Sequence, residues 1–271
     1  MGLILSTPLT LCLILAGRYF PQMGFLEVLL GDEPVLRPEE IYYQRLLAMD
    51  QDEARNVADR YLEERTLNHF YESVLIPALR LAEEDRHSDI LGDRASEFIS
   101  QTTRELIDDL GQRIPSEEPS SKITFDPANV VCVPARDEAD ELVGMMLAQL
   151  LRQNGFNQAG ALAIGSVEEM LEQVGRRDAG VVCVSALPPF AVGQARSLCK
   201  QLRARFPQLA IVVGLWGFAG GVPKAQERVG PSCTDAVCTN LSEAIVEIQR
   251  LAANCSSERA EHTEGTPVIS R

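Results

Sequence analysis

The chain has 271 residues, 45% apolar and 24% charged, which is a normal globular balance and enough for two domains of ordinary size. Its formal net charge of -14 leaves no basic surface to neutralise a phosphate backbone, which argues against nucleic acid as a partner. Seven cysteines without regular spacing give neither a disulfide framework nor a CxxC metal site, and a reducing cytosol fits them best.

Residues 2–17 carry no charge. At 1.5 Å per residue they make roughly 24 Å of helix, against roughly 30 Å of membrane hydrocarbon. A secretory signal needs a basic start and a small-residue cleavage site, but here Arg18, Tyr19 and Phe20 follow an uncharged start. Met1-Gly2 with Ser6 also matches the myristoylation pattern, and a third reading is the end of a longer membrane helix. Residues 18–30, aromatic and aliphatic behind Arg18, suit a membrane interface. Residues 1–30 are therefore expected to be a transmembrane-helix remnant with an interfacial segment.

Residues 31–118 form an acidic module, with 22 Asp and Glu against 10 Arg and no Lys. Helices are expected over 38–49, 52–65, 67–85 and 93–114. Leu75, Leu79 and Ala82 repeat at the spacing of one buried helical face, as do Phe98, Thr102, Leu106 and Leu110. Asp50 or Asp52, and Thr66, are candidate N-caps, while Pro77 should bend or interrupt the third helix because it lacks a backbone donor. The expected units are a helical bundle over 36–114 and a Pro- and Ser-containing linker over 115–128.

From 129 to 253 short β-branched runs alternate with amphipathic helices. Strands are expected at 130–133, 161–164, 181–184, 210–213 and 235–238, and helices at 138–154, 167–176, 191–205, near 224–228 and at 241–253. Continuous apolar strands between helices mean a parallel sheet covered on both faces. The expected fold class is α/β: a flavodoxin-like five-stranded parallel sheet preceded by a small helical bundle and an N-terminal apolar helix. The polar residues 254–271 read as a disordered tail.

Ligands of such sheets sit at the carboxyl ends of the strands. The loop after the first strand carries Asp137, Glu138, Asp140 and Glu141 instead of phosphate-cradling glycines, which disfavours NAD and nucleotides. These acids read most simply as groups that cap a helix N-terminus and favour its dipole. A phosphoacceptor receiver would need an aspartate where the third strand ends in Ser185-Ala-Leu-Pro-Pro189, and a lysine where the fifth ends in Cys238-Thr-Asn240. The three histidines, His69, His87 and His262, neighbour no nucleophile in sequence, and no enzyme is expected. Trp216 and Phe218, in a glycine-rich stretch, either line a pocket at a strand end or pack over the sheet edge.

The order of bundle, linker and sheet, with residues 50–80 as the opening helices and Ser185-Ala-Leu187 as a Ser-x-Leu motif, resembles the cobalamin-binding modules of methyltransferases, mutases and light- or cobalamin-sensing regulators. The resemblance implies a ligand pocket at Glu141, Gly144, Ser185, Leu187, Gly214 and Trp216. With Gly144 as anchor, the family's Asp-x-His-x-x-Gly motif falls on residues 139–144, which leaves Glu141 where histidine would bind cobalt. The late Gly-Gly pair reads Gly214-Leu215, and the bundle holds no tryptophan to cap the upper face. No resident cofactor and no metal ligand are expected, with cobalamin kept as the alternative.

A second resemblance spans the junction. Leu5-Ser-Thr-Pro-Leu-Thr-Leu-Cys-Leu13, then Gly17-Arg18, Pro21, Phe25-Leu-Glu-Val-Leu-Leu-Gly-Asp-Glu-Pro34 and Tyr43-Gln-Arg-Leu-Leu47, is similar to the end of the last transmembrane helix and the segment after it in permeases of the autoinducer-2 exporter family. Some members carry a long cytosolic extension. The resemblance implies the C-terminal part of such a permease, at the inner membrane, with the C-terminal domains in the cytosol. Its partners would be the membrane, the remaining permease helices or a second copy of the chain. The expected function is a non-catalytic regulatory or interaction module, with a corrinoid- or small-ligand-binding sensor as the alternative.

Overall fold

A computed structural model describes residues 36–113, 129–230 and 232–264. The apolar segment 1–30 and the linker 115–128 lie outside the described residues. Among the described residues no helix is long and apolar enough to cross a membrane.

The bundle begins with α1 (Pro38–Leu47), whose leading proline and first-turn Glu39 and Glu40 suit a helix N-terminus. Asp50 starts α2 (Gln51–Leu62) by accepting from Glu53 N at 3.1 Å, and Thr66 starts α3 (Leu67–Phe70) by accepting from His69 N at 3.3 Å. A π-helical turn (Tyr71–Leu75) then leads into α4 (Ile76–His87), and α5 (Asp93–Arg113) closes the bundle. Pro77 interrupts the α-helical pattern as expected: it stands in the first turn of α4, and the turn before it is π-helical, with Ile76 N–H reaching back five residues to Tyr71 O. Leu75, Leu79, Ala82, Thr102, Leu106 and Leu110 are buried as their spacing requires, while Phe98 is half-buried.

The second unit holds β1 (Val130–Pro134), β2 (Gly160–Ala161), β3 (Val181–Ala186), β4 (Ala210–Leu215) and β5 (Ala236–Cys238) in the order β2-β1-β3-β4-β5, all parallel. This is the flavodoxin-like order. Alternate residues along each strand point to opposite faces, so one strand feeds two cores. Val130, Cys132, Val181 and Cys183 join a core with α6 (Glu138–Gln153) and α10 (Leu241–Glu264). Val131, Val133, Val182 and Val184 join a second core with α7 (Val167–Arg176), α8 (Val192–Arg205) and α9 (Gly221–Val229).

The first of these cores also contains the bundle's own buried residues, so bundle and sheet share one apolar interior. Gln149 of α6 stitches the two: its amide nitrogen donates to Tyr71 Oη and its oxygen accepts from Gly111 N, each at 2.7 Å. Glycine at 111 permits that approach, because a Cβ there would lie 3.0 Å from the Gln149 amide. At the other side Glu72 accepts from Ser242 N at 2.7 Å.

Two elements differ from expectation. β2 is two residues rather than 161–164: Leu162 N still bonds to Cys132 O of β1 at 2.8 Å, but Ile164 N bonds to the Glu141 carboxylate instead of to a strand. α10 runs to Glu264 rather than stopping at Ala253, so residues 254–264 are helical where a disordered tail is expected. No proline or glycine interrupts that stretch before Gly265, and polar composition alone does not stop a helix.

Candidate functional site

The carboxyl ends of β1, β3 and β4 lie under the bundle, and the buried acids there come from α6. Asp140 and Glu141 are adjacent in the first turn of α6, but successive helical positions are about 100° apart and they serve different surroundings. Asp140 is fully buried and its Oδ1 accepts from Leu187 N at 2.6 Å. Its Oδ2 is buried without a hydrogen-bond partner. Burial, reinforced by the neighbouring Asp137 carboxylate and opposed by backbone N–H groups, raises its carboxyl to about 8. Near pH 7 the Asp140 carboxyl is therefore mostly protonated.

Glu141 faces away from that group. It pairs with Arg104 of α5 at 2.6 Å and accepts from Ile164 N at 2.8 Å, at the rim of a groove of about 750 Å³ between α5, α6 and β2. The four acids do stand at the start of α6 as expected, Asp137 as N-cap and Glu138, Asp140 and Glu141 in the first turn, but the capping part of that expectation is corrected: the Asp137 side chain makes no cap bond, and Asp140 and Glu141 are buried and bonded to distant segments.

The remaining candidate residues are brought together. Trp216 follows β4 directly, with its N bonded to Ala186 O at 3.0 Å and the next residue's N bonded to Thr239 O at 2.9 Å. Gly217 turns the chain at φ +70, a conformation suited to glycine. The indole lies back against Gly214, where an added Cβ would meet its ring carbons at 2.0 and 2.1 Å. Trp216 Nε1 donates to Ser185 Oγ at 2.8 Å, and Ser185 Oγ donates to Asp140 O at 2.6 Å. Gly144 lies beside them, its added Cβ being 3.7 Å from Ser185 Cβ and 3.4 Å from Cys132 Cβ. Trp216 is fully buried, so of its two sequence readings the packed one holds, although over strand ends rather than the sheet edge. Glu141 stands apart from this group of Gly144, Ser185, Leu187, Gly214 and Trp216.

Several residues that sequence reasoning leaves out seat α4 on the strand ends. Arg86 pairs with Asp137 in the loop after β1 at 2.8 Å, and Arg80 donates to Gly217 O after β4 at 3.2 Å. His87, whose Nδ1–H donates to Glu83 O at 2.9 Å, stacks on Phe190 after β3 with ring centres 3.7 Å apart. Arg136 holds the other flank of that loop by donating to Phe190 O at 3.1 Å. These contacts join residues far apart in sequence, and no periodicity announces them. Among the described residues no group of three or more His, Cys, Asp or Glu could hold a metal ion.

No protein-family model and no curated protein sequence matches this chain. The bundle and parallel sheet define an α/β protein of the flavodoxin-like class, and solved structures share that arrangement. The monomethylamine corrinoid protein of Methanosarcina barkeri aligns over 79% of this chain and 98% of its own, with 13% identity and a TM-score of 0.52, a likeness of fold. A cobalamin-binding protein from Desulfitobacterium hafniense DCB-2 aligns over 78% and 96% with 16% identity and a TM-score of 0.38. The methanol:cobalamin methyltransferase complex of Methanosarcina barkeri aligns over 86% and 87% with 14% identity and a TM-score of 0.31.

Proposed function

We propose that the chain is a non-catalytic regulatory and interaction module on the corrinoid-protein fold, working as a closed body of bundle and sheet. The observation that carries this reading is the direct seating of α4 on the loops after β1, β3 and β4, where a ligand of such a sheet would otherwise lie. Cobalamin does not fit the arrangement. Glu141, at the position of the cobalt-binding histidine, is engaged by Arg104 and Ile164 N, and a carboxylate is a poorer match for cobalt than imidazole. Trp216 fills the space over Gly214, and the bundle closes the upper side.

The similarity of residues 5–47 to autoinducer-2 exporter permeases supports a place on the cytosolic side of the inner membrane, reporting to permease helices or to a second copy. The second reading is a corrinoid sensor, favoured by the bundle-plus-sheet architecture shared with the Methanosarcina barkeri corrinoid protein. Titrating the full chain with hydroxocobalamin and recording absorbance separates the two. The closed module gives no spectral change up to millimolar concentration, whereas saturable change at micromolar concentration replaces it with the sensor.

A further inference from the structure

At the edge of the sheet, away from the seat of α4, the groove between α5, α6 and β2 encloses about 750 Å³, the size of a metabolite site. Its far end is built from the last turn of α6, the start of β2 and the C-cap of α7, which bring together Arg152, Gly160 and Arg177. Arg152 Nη1 donates to Ala159 O at 2.8 Å, and Arg177 Nη1 lies 2.8 Å from where a Cβ on Gly160 would stand, so glycine there admits the guanidinium. Both cations rest on one peptide, which puts their Nη1 atoms within roughly 9 Å of each other. A cation at a helix C-terminus favours the dipole, which accounts for each arginine singly and not for their convergence. Neighbouring arginines have acids, Arg104 meeting Glu141 at 2.6 Å and Arg176 meeting Glu172 at 2.7 Å, but among the described residues no carboxylate pairs with Arg152 or Arg177. Two like charges held this close repel, and an anion between them removes that cost.

We propose that this end of the groove binds the dianionic head of a small phosphate monoester. A guanidinium presents paired N–H donors that match phosphate oxygens, and one phosphate accepting at about 2.8 Å on two sides spans roughly 8 Å, so it reaches both arginines. Along the groove Ile107, Met145 and Ala148 supply an apolar wall for the organic part of the ester. Asp108 on the α5 wall opposes one positive charge, and the arginine pair outnumbers it. Glu141, at the other end, is satisfied by Arg104 and Ile164 N and takes no part. The net charge of -14 repels a polyanion from the whole surface, whereas a single phosphate needs only this local pair. The site goes beyond the function proposed above and does not depend on it, since the contacts of α4 with the strand-end loops lie at the opposite end of α6.

The test is calorimetric titration of the full chain at fixed ionic strength, with phenyl phosphate as the probe. Phenyl phosphate should bind saturably and more tightly than inorganic phosphate, which lacks the body, while phenol, which lacks the head, should give no saturable heat. Arg177→Gln is the decisive variant, because among the described residues the Arg177 guanidinium holds no acid and Arg152 keeps its bond to Ala159 O. R177Q should melt with wild type and bind phenyl phosphate about tenfold more weakly, and Arg177→Lys should recover part of that loss. Asp108→Asn, which removes the opposing charge, should tighten binding. Equal affinity in wild type and R177Q overturns the proposal, as does the absence of saturable heat with phenyl phosphate up to millimolar concentration. Succinate binding as tightly as phenyl phosphate overturns the assignment of a phosphate head in favour of a dicarboxylate.

Discussion

Asp140→Asn tests the electrostatics of the site directly. The folded protein raises this carboxyl from 3.8 to about 8, with burial the main cause and Asp137 the second. Between those two values the folded state holds a proton that the unfolded chain has released, so stability falls as pH rises through the window, by about 1.4 kcal/mol per pH unit. Below it both states are protonated, and above it both are ionised. Asparagine cannot ionise, and its side-chain oxygen can still accept from Leu187 N, which Asp140 Oδ1 meets at 2.6 Å. Urea denaturation of wild type and D140N at pH 5, 6, 7 and 8 cancels the other carboxylates in the difference. The variant should gain on wild type by about 4 kcal/mol across those three units. Parallel curves would refute the argument, because they would mean that the Asp140 carboxyl is no harder to ionise in the folded state than in the unfolded one.

Leu79, buried on the bundle's inner face, should cost about 2 to 5 kcal/mol as alanine, whereas Glu84, half-exposed beside Arg80 at 3.6 Å, should cost under about 1 by the same urea titration. Gly214→Ala should fail to fold or lose Trp216 burial, since its Cβ would lie 2.0 Å from the indole, while Gly144→Ala meets only ordinary contacts and should be within about 1 kcal/mol of wild type, read by fluorescence emission and melting. If residues 1–30 anchor the chain, full-length protein should sediment with membranes and a chain starting near Gly31 should stay in the supernatant. Monodisperse full-length protein without detergent would count against the anchor.

The sheet was legible because β1, β3 and β4 are buried on both faces and so read as unbroken apolar runs, each followed by a helix. Its weak member was β2, where Ala161-Leu-Ala-Ile164 has strand composition but Ile164 N is captured by Glu141. The caps at Asp50 and Thr66 were readable from residue type, since each satisfies an N–H three residues on. Asp140 was not. Four acids around a helix start look alike in sequence, and only position separates them. Asp140 shares a face with Gly144 and Leu147, directed at the sheet, while Glu141 shares one with Met145, Ala148 and Arg152 along the groove. That spacing was the available signal, and it also explains why Glu141 stands apart from the other candidate pocket residues. The stack of His87 on Phe190 had no local signal at all, because it joins the end of one unit to a loop of the other.

What holds the bundle on the sheet also limits how the module can respond. The Arg86 and Asp137 side chains are 34% and 23% exposed, and Arg80 is more exposed still, so these links are worth at most about 1 kcal/mol each and weaken with salt. The shared core is of another order, since Phe70, Tyr71, Leu75 and Leu110 lie in one cluster with Leu142, Met146 and Leu151. Each such side chain left exposed would cost about 1.5 to 3 kcal/mol, so lifting the bundle away whole would consume the stability of an ordinary domain. A response at this site therefore has to be local. The C-terminal end of α4, carrying Arg86 and His87, can leave the strand-end loops, and the exposed Arg80 side chain can release Gly217, while Tyr71 and Gln149 stay joined beneath them. Salt should then loosen contacts at Asp137, Phe190 and Gly217 before it touches the core. Hydrogen exchange should record this as faster exchange around residues 80–87 and 186–191 at high ionic strength, with residues 142–151 unchanged.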